Sequence, residues 1–346
     1  MLTPEQIHEA LKQVKYPGYS RDIVSFGLVK QIDANQGAVT VSLELANASP
    51  ELAAQLKREI EIVLRNLGAK TCFVQINTRG GPPVSALGAA PKPSGLRRII
   101  AVASGKGGVG KSTVSVNLAC ALKHLGARVG LLDCDIYGPS VPLMMGVTGR
   151  PAVSDENQLL PQENYGIKLM SMGFFLDDDS PVIWRGPMIV KTIKQFFSDV
   201  AWGELDFLVV DLPPGTGDAQ LTLCQTVPLD GGVVVTTPQE ASLGVVRKGI
   251  AMFRKVHVPI LGIVENMSYF TSPNGERLEI FGHGGGKHEA ARQNVPFLGE
   301  IPLYTEIRVG GDEGLPVTVA DAGSAAAQPF VNIARHLMQT LAENKG

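Results

Sequence analysis

The most constraining feature of the chain is ten residues long. Ser104-Gly105-Lys106-Gly107-Gly108-Val109-Gly110-Lys111-Ser112-Thr113 stands between an apolar run, Ile99 to Ala103, and a helical pattern that stops near Leu125-Gly126. A strand feeding a glycine-rich turn and then a helix makes backbone N–H groups converge, and the helix N-terminus adds partial positive charge. The spacing fits G-x4-G-K-S/T, so Lys111 is expected to reach β and γ phosphates and Ser112 to bind Mg2+. Gly105, Lys106, Gly107, Gly108, Val109, Gly110 and Thr113 complete the expected nucleotide-binding turn. A bare glycine turn without a ligand is the competing reading.

The apolar runs around this turn are short and nearly continuous: Ile99 to Ala103, Val129 to Leu132, Phe207 to Val210, Val233 to Thr236 and Ile260 to Val264. Strands covered on both faces by helices have this composition, which predicts an α/β fold with a mostly parallel, doubly wound sheet. Two of the runs end in acid, Leu132-Asp133-Cys134-Asp135 and Val210-Asp211, placing carboxylates at the edge where such sheets bind ligands. Asp133 is expected either to assist a metal or to cap the loop that follows. Leu212-Pro213-Pro214-Gly215-Thr216-Gly217-Asp218 reads as a switch, its prolines limiting and its glycines permitting alternative shapes.

With 346 residues the chain is long enough for about two domains. Helical spacing over Thr3 to Val14, β-rich runs Ile23 to Ile32 and Ala38 to Leu45, a helix Pro50 to Leu67 and a strand Thr71 to Ile76 predict a small α/β domain over 1–77. Residues 78–96, rich in Gly, Pro, Ala and Ser, read as a linker, and 97–346 as the second domain. The charge balance, 31 Lys+Arg against 33 Asp+Glu, lacks the basic footprint of nucleic-acid or anionic-membrane binders, so neither partner is expected. No apolar run approaches the ~18 residues of a membrane span, and the polar N-terminus is not signal-like, which predicts a cytoplasmic protein. The amphipathic stretch Ala325 to Leu341 has few cations and is expected to pack on the sheet.

The second lysine of the turn, Lys106, makes the string KGGVGK, which resembles the deviant phosphate loop of MinD, ParA and the nitrogenase iron protein. That resemblance implies a homodimer in which Lys106 contacts phosphate across the interface. A cation there would neutralise charge on the γ phosphate as an arginine finger does. DIYGPS at 135–140, VIWRGPM at 182–188, DLPPGTGD at 211–218, TTPQEAS at 236–242, ENMSYF at 265–270, IFGHGGG at 280–286 and GEIPL at 299–303 narrow the resemblance to the Mrp/ApbC iron–sulfur cluster carrier ATPases, over about 98–341. It implies slow ATP hydrolysis and cluster delivery to apoprotein clients or assembly factors. Asp135 would orient or deprotonate the attacking water and Asp211 would hold Mg2+ through water. The Gly215 amide would sense the γ phosphate, Asn266 would contact adenine, and the loop near Pro302 would close over it. The first 77 residues resemble the small iron–sulfur-assembly domain often fused in front of these ATPases. They depart from it at Tyr16-Pro17-Gly18-Tyr19, in place of an acidic turn, and at Ser49, in place of a cysteine.

The largest departure follows ENMSYF. Cluster carriers commonly place CxxC there, so that a dimer bridges a 4Fe-4S cluster with four thiolates; this chain has Thr271-Ser272-Pro273-Asn274-Gly275-Glu276, with Ser272 for the first cysteine and no second. A cluster, if carried, would take ligands elsewhere: Cys134, Cys224 or a partner's side chains. Core thiols are the other reading for both. Three functions stay open: a cluster carrier, a ParA/MinD-like positioning or scaffold ATPase, and a cluster-free regulator. His283 and the glycine run 284–286 are expected to form a hinge before a helix from His288 to Asn294. Met144, Met145, Met170, Met172 and Met188 are expected as core filling rather than a partner surface. Trp184 and Arg185 divide between a buried Trp anchor and a contact with a client or the other subunit.

Overall fold

The computed structural model describes residues 2–15, 22–35, 38–46, 50–69, 71–79, 92–136, 138–175, 186–215 and 217–343. The chain forms two compact units, Met1–Gly88 and Ala89–Gly346.

In the first unit, α1 (Pro4–Ala10) starts with a reciprocal cap, the Thr3 hydroxyl accepting from the Gln6 N–H and the Gln6 side chain from the Thr3 N–H. A single 3-10 turn, Leu11–Gln13, extends it. β1 (Val29–Asn35) begins six residues later than the spacing predicts. Asp22 is the reason: its carboxylate accepts the Val24 and Ser25 N–H groups at 3.0 and 2.7 Å, closing a local turn in competition with a ladder. Ile23 is nonetheless buried in the core. β2 (Ala38–Ala46) pairs antiparallel with β1, and β3 (Thr71–Arg79) pairs parallel with β2 after the helix α2 (Pro50–Asn66). Val39, Val41 and Leu43, at period two, share a core with Leu56, Ile60 and Leu64, at helical period.

The second unit is built around one large sheet. β4 (Leu96–Ser104) leads into α3 (Lys111–His124), then β5 (Val129–Asp133) and the one-turn α4 (Val141–Met144). A hairpin, β6 (Gln162–Asn164) and β7 (Ile167–Ser171), precedes α5 (Gly186–Ser198), β8 (Leu205–Asp211), α6 (Asp218–Thr226) and β9 (Gly231–Thr236). α7 (Glu240–Lys255), β10 (Ile260–Thr271), β11 (Arg277–Leu278), α8 (Gly285–Gln293) and β12 (Phe297–Leu303) follow, and α9 (Thr305–Asp312), α10 (Val317–Ala320) and α11 (Gln328–Glu343) close the unit. Parallel pairing runs β12-β10-β9-β4-β8-β5-β7, with β6 and β11 antiparallel at the margins. The chain leaves β4 toward β5 and β7, then returns through β8 and continues toward β9, β10 and β12. The strand order therefore reverses beside β4, where a crevice forms above the carboxyl ends.

The C-terminal helix α11 buries Phe330, Ile333, Leu337 and Leu341 and packs on α3 and β12. Met145, Met170 and Met172 are core residues, while Met144 is only half-buried. The glycine run before α8 is a close-packed helix start and not a hinge: α8 begins at Gly285, and a Cβ on that glycine would lie 2.5 Å from the Pro238 carbonyl oxygen. The Gly286 N–H donates to the buried Glu265 carboxylate, which neutralises the first-turn amides of α8. No helix among the described residues is long and apolar enough to cross a membrane. Tyr16 to Tyr19, Ser49, Trp184 and Arg185 lie outside the described residues, as do the side-chain surroundings of Met188.

Candidate nucleotide site

The loop between β4 and α3 lies at the carboxyl edge of the sheet, beside the reversal of strand order. Gly108 and Gly110 have φ of +81° and +80°, left-handed values that a side chain disfavours. A Cβ on Gly110 would also run into Asn266 Nδ2. The Ser104 hydroxyl donates to the Lys106 carbonyl at 3.0 Å, tightening the turn. Around Gly107 and Gly108 an added Cβ would meet open space, so this part of the loop faces outward and carries the half-exposed Lys106 with it.

Three side chains of α3 converge on the end of β8. Lys111 Nζ is 2.6 Å from Asp211 Oδ2, the Ser112 hydroxyl donates to the same oxygen at 2.6 Å, and the Ser115 hydroxyl donates to Oδ1 at 2.6 Å. Lys111 and Asp211 are buried, so this is a low-dielectric charge pair braced by two hydroxyls. Ser115 was not among the residues expected from the sequence. Its signal is the three-residue spacing from Ser112, which puts both hydroxyls on one face of the helix.

Asp133 stands opposite Asp211 in the β5–β8 register. Burial, and then the neighbouring Asp211 charge, push its carboxyl up to about 7. It accepts the Asp135 N–H at 3.0 Å and the Ser171 hydroxyl at 2.9 Å, so the contact it makes is the loop-capping one. Asp135 follows on that loop, almost buried, with Oδ1 accepting the Gly138 N–H at 3.2 Å. Ser171, also missed from the sequence, ends β7, a strand too short and mixed to stand out by pattern. The Gly215 N–H donates to the Ser104 carbonyl at 3.1 Å, so contact with a phosphate would require it to exchange that partner.

A cavity beside the loop is built by β10, β12 and α9. Asn266 Nδ2 donates to the Val109 carbonyl at 2.9 Å, fixing the amide so that its Oδ1 is the acceptor presented onward. The strand bulges here: the pairing of β10 with β12 shifts between Asn266 and Phe270, and Met267 has φ of +56°. Asn266, Pro302, Thr113, Met144, Tyr304 and Ile307 line a cavity of about 240 Å³ next to the loop. A larger cavity of about 310 Å³, among Arg98, Leu125 and Met338, lies at the opposite edge of the sheet, remote from these residues. Met144, Tyr304 and Ile307 were not legible as site residues, because they are ordinary apolar side chains made relevant only by packing.

Cys134 and Cys224 lie near enough to act on each other electrostatically, but both thiols are buried and free. Cys120, Cys134 and Cys224 are buried; burial pushes the thiols of Cys120 and Cys224 up to about 12 and that of Cys134 well above its usual range. Cys72 is half-buried on β3 of the first unit. Among the described residues, no group of three or more His, Cys, Asp or Glu could hold a metal ion by itself. The β10–β11 turn, where the resemblance would place CxxC, is closed by its own polar groups: the Ser272 N–H donates to the Glu276 carbonyl and the Gly275 N–H to the Ser272 carbonyl, both at 2.9 Å.

Comparison with known proteins agrees with this geometry. A family model described as NUBPL iron-transfer P-loop NTPase matches residues 95–338, and one described as iron-sulfur cluster assembly protein matches residues 4–74. An iron-sulfur cluster carrier protein of Helicobacter pylori is 41% identical, covering 100% of this chain and 97% of its own length. The iron-sulfur cluster transfer protein NUBPL of Dictyostelium discoideum is 49% identical, covering 71% of this chain and 77% of its own. Among solved structures, a nucleotide-binding protein from Archaeoglobus fulgidus in complex with ADP aligns with a TM-score of 0.60 and 42% identity, over 69% of this chain and 94% of that one. The septum site-determining protein MinD of Pyrococcus horikoshii, complexed with Mg-ADP, aligns with a TM-score of 0.53 at 24% identity, over 72% of this chain and 99% of its own, and shares the fold. With the phosphate loop, the carboxylate-ended strands and both family matches in agreement, the chain belongs to the NUBPL iron-transfer P-loop NTPase family and carries an iron–sulfur cluster assembly domain in front.

Proposed function

We propose that this chain is an ATP-dependent carrier of iron–sulfur clusters, in which ATP binding and slow hydrolysis drive a dimeric switch. The observation that carries the nucleotide half is the buried knot of Lys111, Ser112, Ser115 and Asp211 at the start of α3. The relatives named as cluster carrier and cluster transfer proteins carry the other half.

The donor set fits Mg2+: the Ser112 hydroxyl and the Asp211 carboxylate are hard oxygens that already meet at 2.6 Å. Bound there with the nucleotide, the ion would neutralise charge between the β and γ phosphates. Lys111 would leave Asp211 for those phosphates, exchanging one anionic partner for another, while the loop amides take the remaining oxygens. Asp135 accepts a proton from, or orients, the water that attacks the γ phosphorus; the new P–O bond forms as the bond to the β–γ bridging oxygen breaks. Asp133 contributes by holding the Asp135 backbone. Lys106, on the outward part of the loop, approaches the γ phosphate of a second copy, which makes hydrolysis depend on dimerisation. In the base cavity the Asn266 Oδ1 acceptor matches the exocyclic amine of adenine rather than the carbonyl of guanine.

The test is anaerobic loading with iron and sulfide, followed by counting of both per chain and by transfer to an apo-ferredoxin with and without MgATP. A carrier retains iron and releases it faster with nucleotide. The burial of Cys120, Cys134 and Cys224 favours a second reading, a cluster-free regulatory relative; nucleotide turnover with no iron in any nucleotide state would establish that one instead.

A further inference from the structure

The base cavity and the loop that carries Asp135 are linked through α4. α4 follows the loop in sequence and its last residue, Met144, lines the cavity; α9 supplies Ile307, Arg308 and Gly311 to the opposite side. The two walls touch beyond the cavity, where Gly146 and Gly314 pass so closely that a Cβ on Gly314 would lie 2.5 Å from the Gly146 Cα.

Both walls are gripped by adjacent residues of the β6–β7 hairpin. Asn164 Nδ2 donates to the Met145 carbonyl at 2.8 Å, at the end of α4, and the Tyr165 hydroxyl donates to the Gly314 carbonyl at 2.7 Å, just after α9. Tyr165 and Gly166 are the two loop residues, with φ of +52° and +69°. A turn of that kind favours Asn-Gly, because both residues are left-handed. Tyrosine at the first position is the poorer choice for the turn itself, yet it is the residue whose hydroxyl spans to Gly314.

We propose that Asn164 and Tyr165 are positioning residues: they lock α4 to α9, so that a purine base filling the cavity between those helices also fixes the loop bearing Asp135. The inference rests on the nucleotide reading above and adds that the base governs the hydrolytic loop as well as affinity. A ligand with the phosphates and no base would leave the loop unsettled.

Hydrogen exchange on the full chain tests this with MgADP and with magnesium pyrophosphate, each at saturation. In the wild type, MgADP is expected to slow the amides of 138–147 about fivefold or more beyond pyrophosphate. Tyr165→Phe and Asn164→Ala should each erase most of that base-specific difference while leaving protection of the phosphate loop intact. For hydrolysis, Tyr165→Phe should lower kcat for ATP with little change in KM, and should leave the slower turnover of inorganic tripolyphosphate unchanged. Equal protection by the two ligands in the wild type, or full retention of the ADP-specific difference in both variants, overturns the proposal. Absence of protection even at Ser104 to Ser112 would overturn the nucleotide reading itself, and this inference with it.

Discussion

The two edges of the large sheet handle charge in opposite ways. At the carboxyl edge, Asp211 and Asp133 share one buried lysine, with Asp135 buried two residues beyond Asp133, and the Asp133 carboxyl is pushed up to about 7. At the amino edge, Asp206 faces Arg97 and Arg128, and Asp230 faces Lys92 and Arg98. There the hydrogen-bonded Arg128 guanidinium pulls the Asp206 carboxyl down to about 2. One edge is short of cations and the other has them in excess. A site that takes a metal ion and a phosphate chain would keep its carboxylates incompletely neutralised until those ligands arrive, whereas an edge serving stability gives each of its carboxylates a cation. The larger cavity sits at the satisfied edge and the smaller at the unsatisfied one, so cavity size alone points to the wrong end of the sheet.

This contrast breaks most sharply at Lys111. Lys111→Ala leaves Asp211 buried without its cation, and MgATP hydrolysis should fall by about 10³-fold or more, with calorimetry showing weakened nucleotide binding. Lys106→Ala comes next: turnover should drop by about 10²-fold and lose its dependence on protein concentration, while ADP affinity holds within a factor of about two. An unchanged rate after this substitution would remove the dimeric switch from the proposed mechanism.

Asp206→Asn tests the opposite edge. Its partner arginines are partly exposed, so the loss should be about 1 kcal/mol, seen as a Tm lower by about 2–4 °C at pH 7, with nucleotide affinity unaltered. Because the folded carboxyl lies near 2 against an ordinary 3.8, its stabilisation is present above pH 3.8 and is lost as the pH falls through 2. Asp133 has the opposite sign: the folded state holds its proton more tightly, so its contribution favours folding at low pH and declines as the pH climbs from 3.8 through about 7. Asp133→Asn should therefore raise the Tm of metal-free protein at pH 8, by less than about 2 °C because the charged acceptor for Ser171 is lost. That advantage should vanish near pH 4.

Most of the carboxyl edge was legible because its motifs are local in sequence. The loop from Ser104 to Thr113 contains its own strand end, turn and helix start, and apolar runs ending in Asp133 and Asp211 mark neighbouring strands without any knowledge of pairing. The small unit shows where local reading fails: Asp22 diverts six residues of β-forming sequence into a turn, because a carboxylate that satisfies two amides at once outcompetes a strand that has not yet found its partner.

The amino-acid sequence by itself determined the fold class, the phosphate loop and the acids that face it, since each depends on residues within a few positions of one another. Tertiary structure alone decided the cavity beside Asn266, the burial of Cys134 and Cys224, and the grip of Asn164 and Tyr165 on the ends of helices α4 and α9. These depend on contacts between segments as far apart as Tyr165 and Gly314, and nothing in the spacing of apolar and polar residues encodes which distant carbonyl a hydroxyl will find.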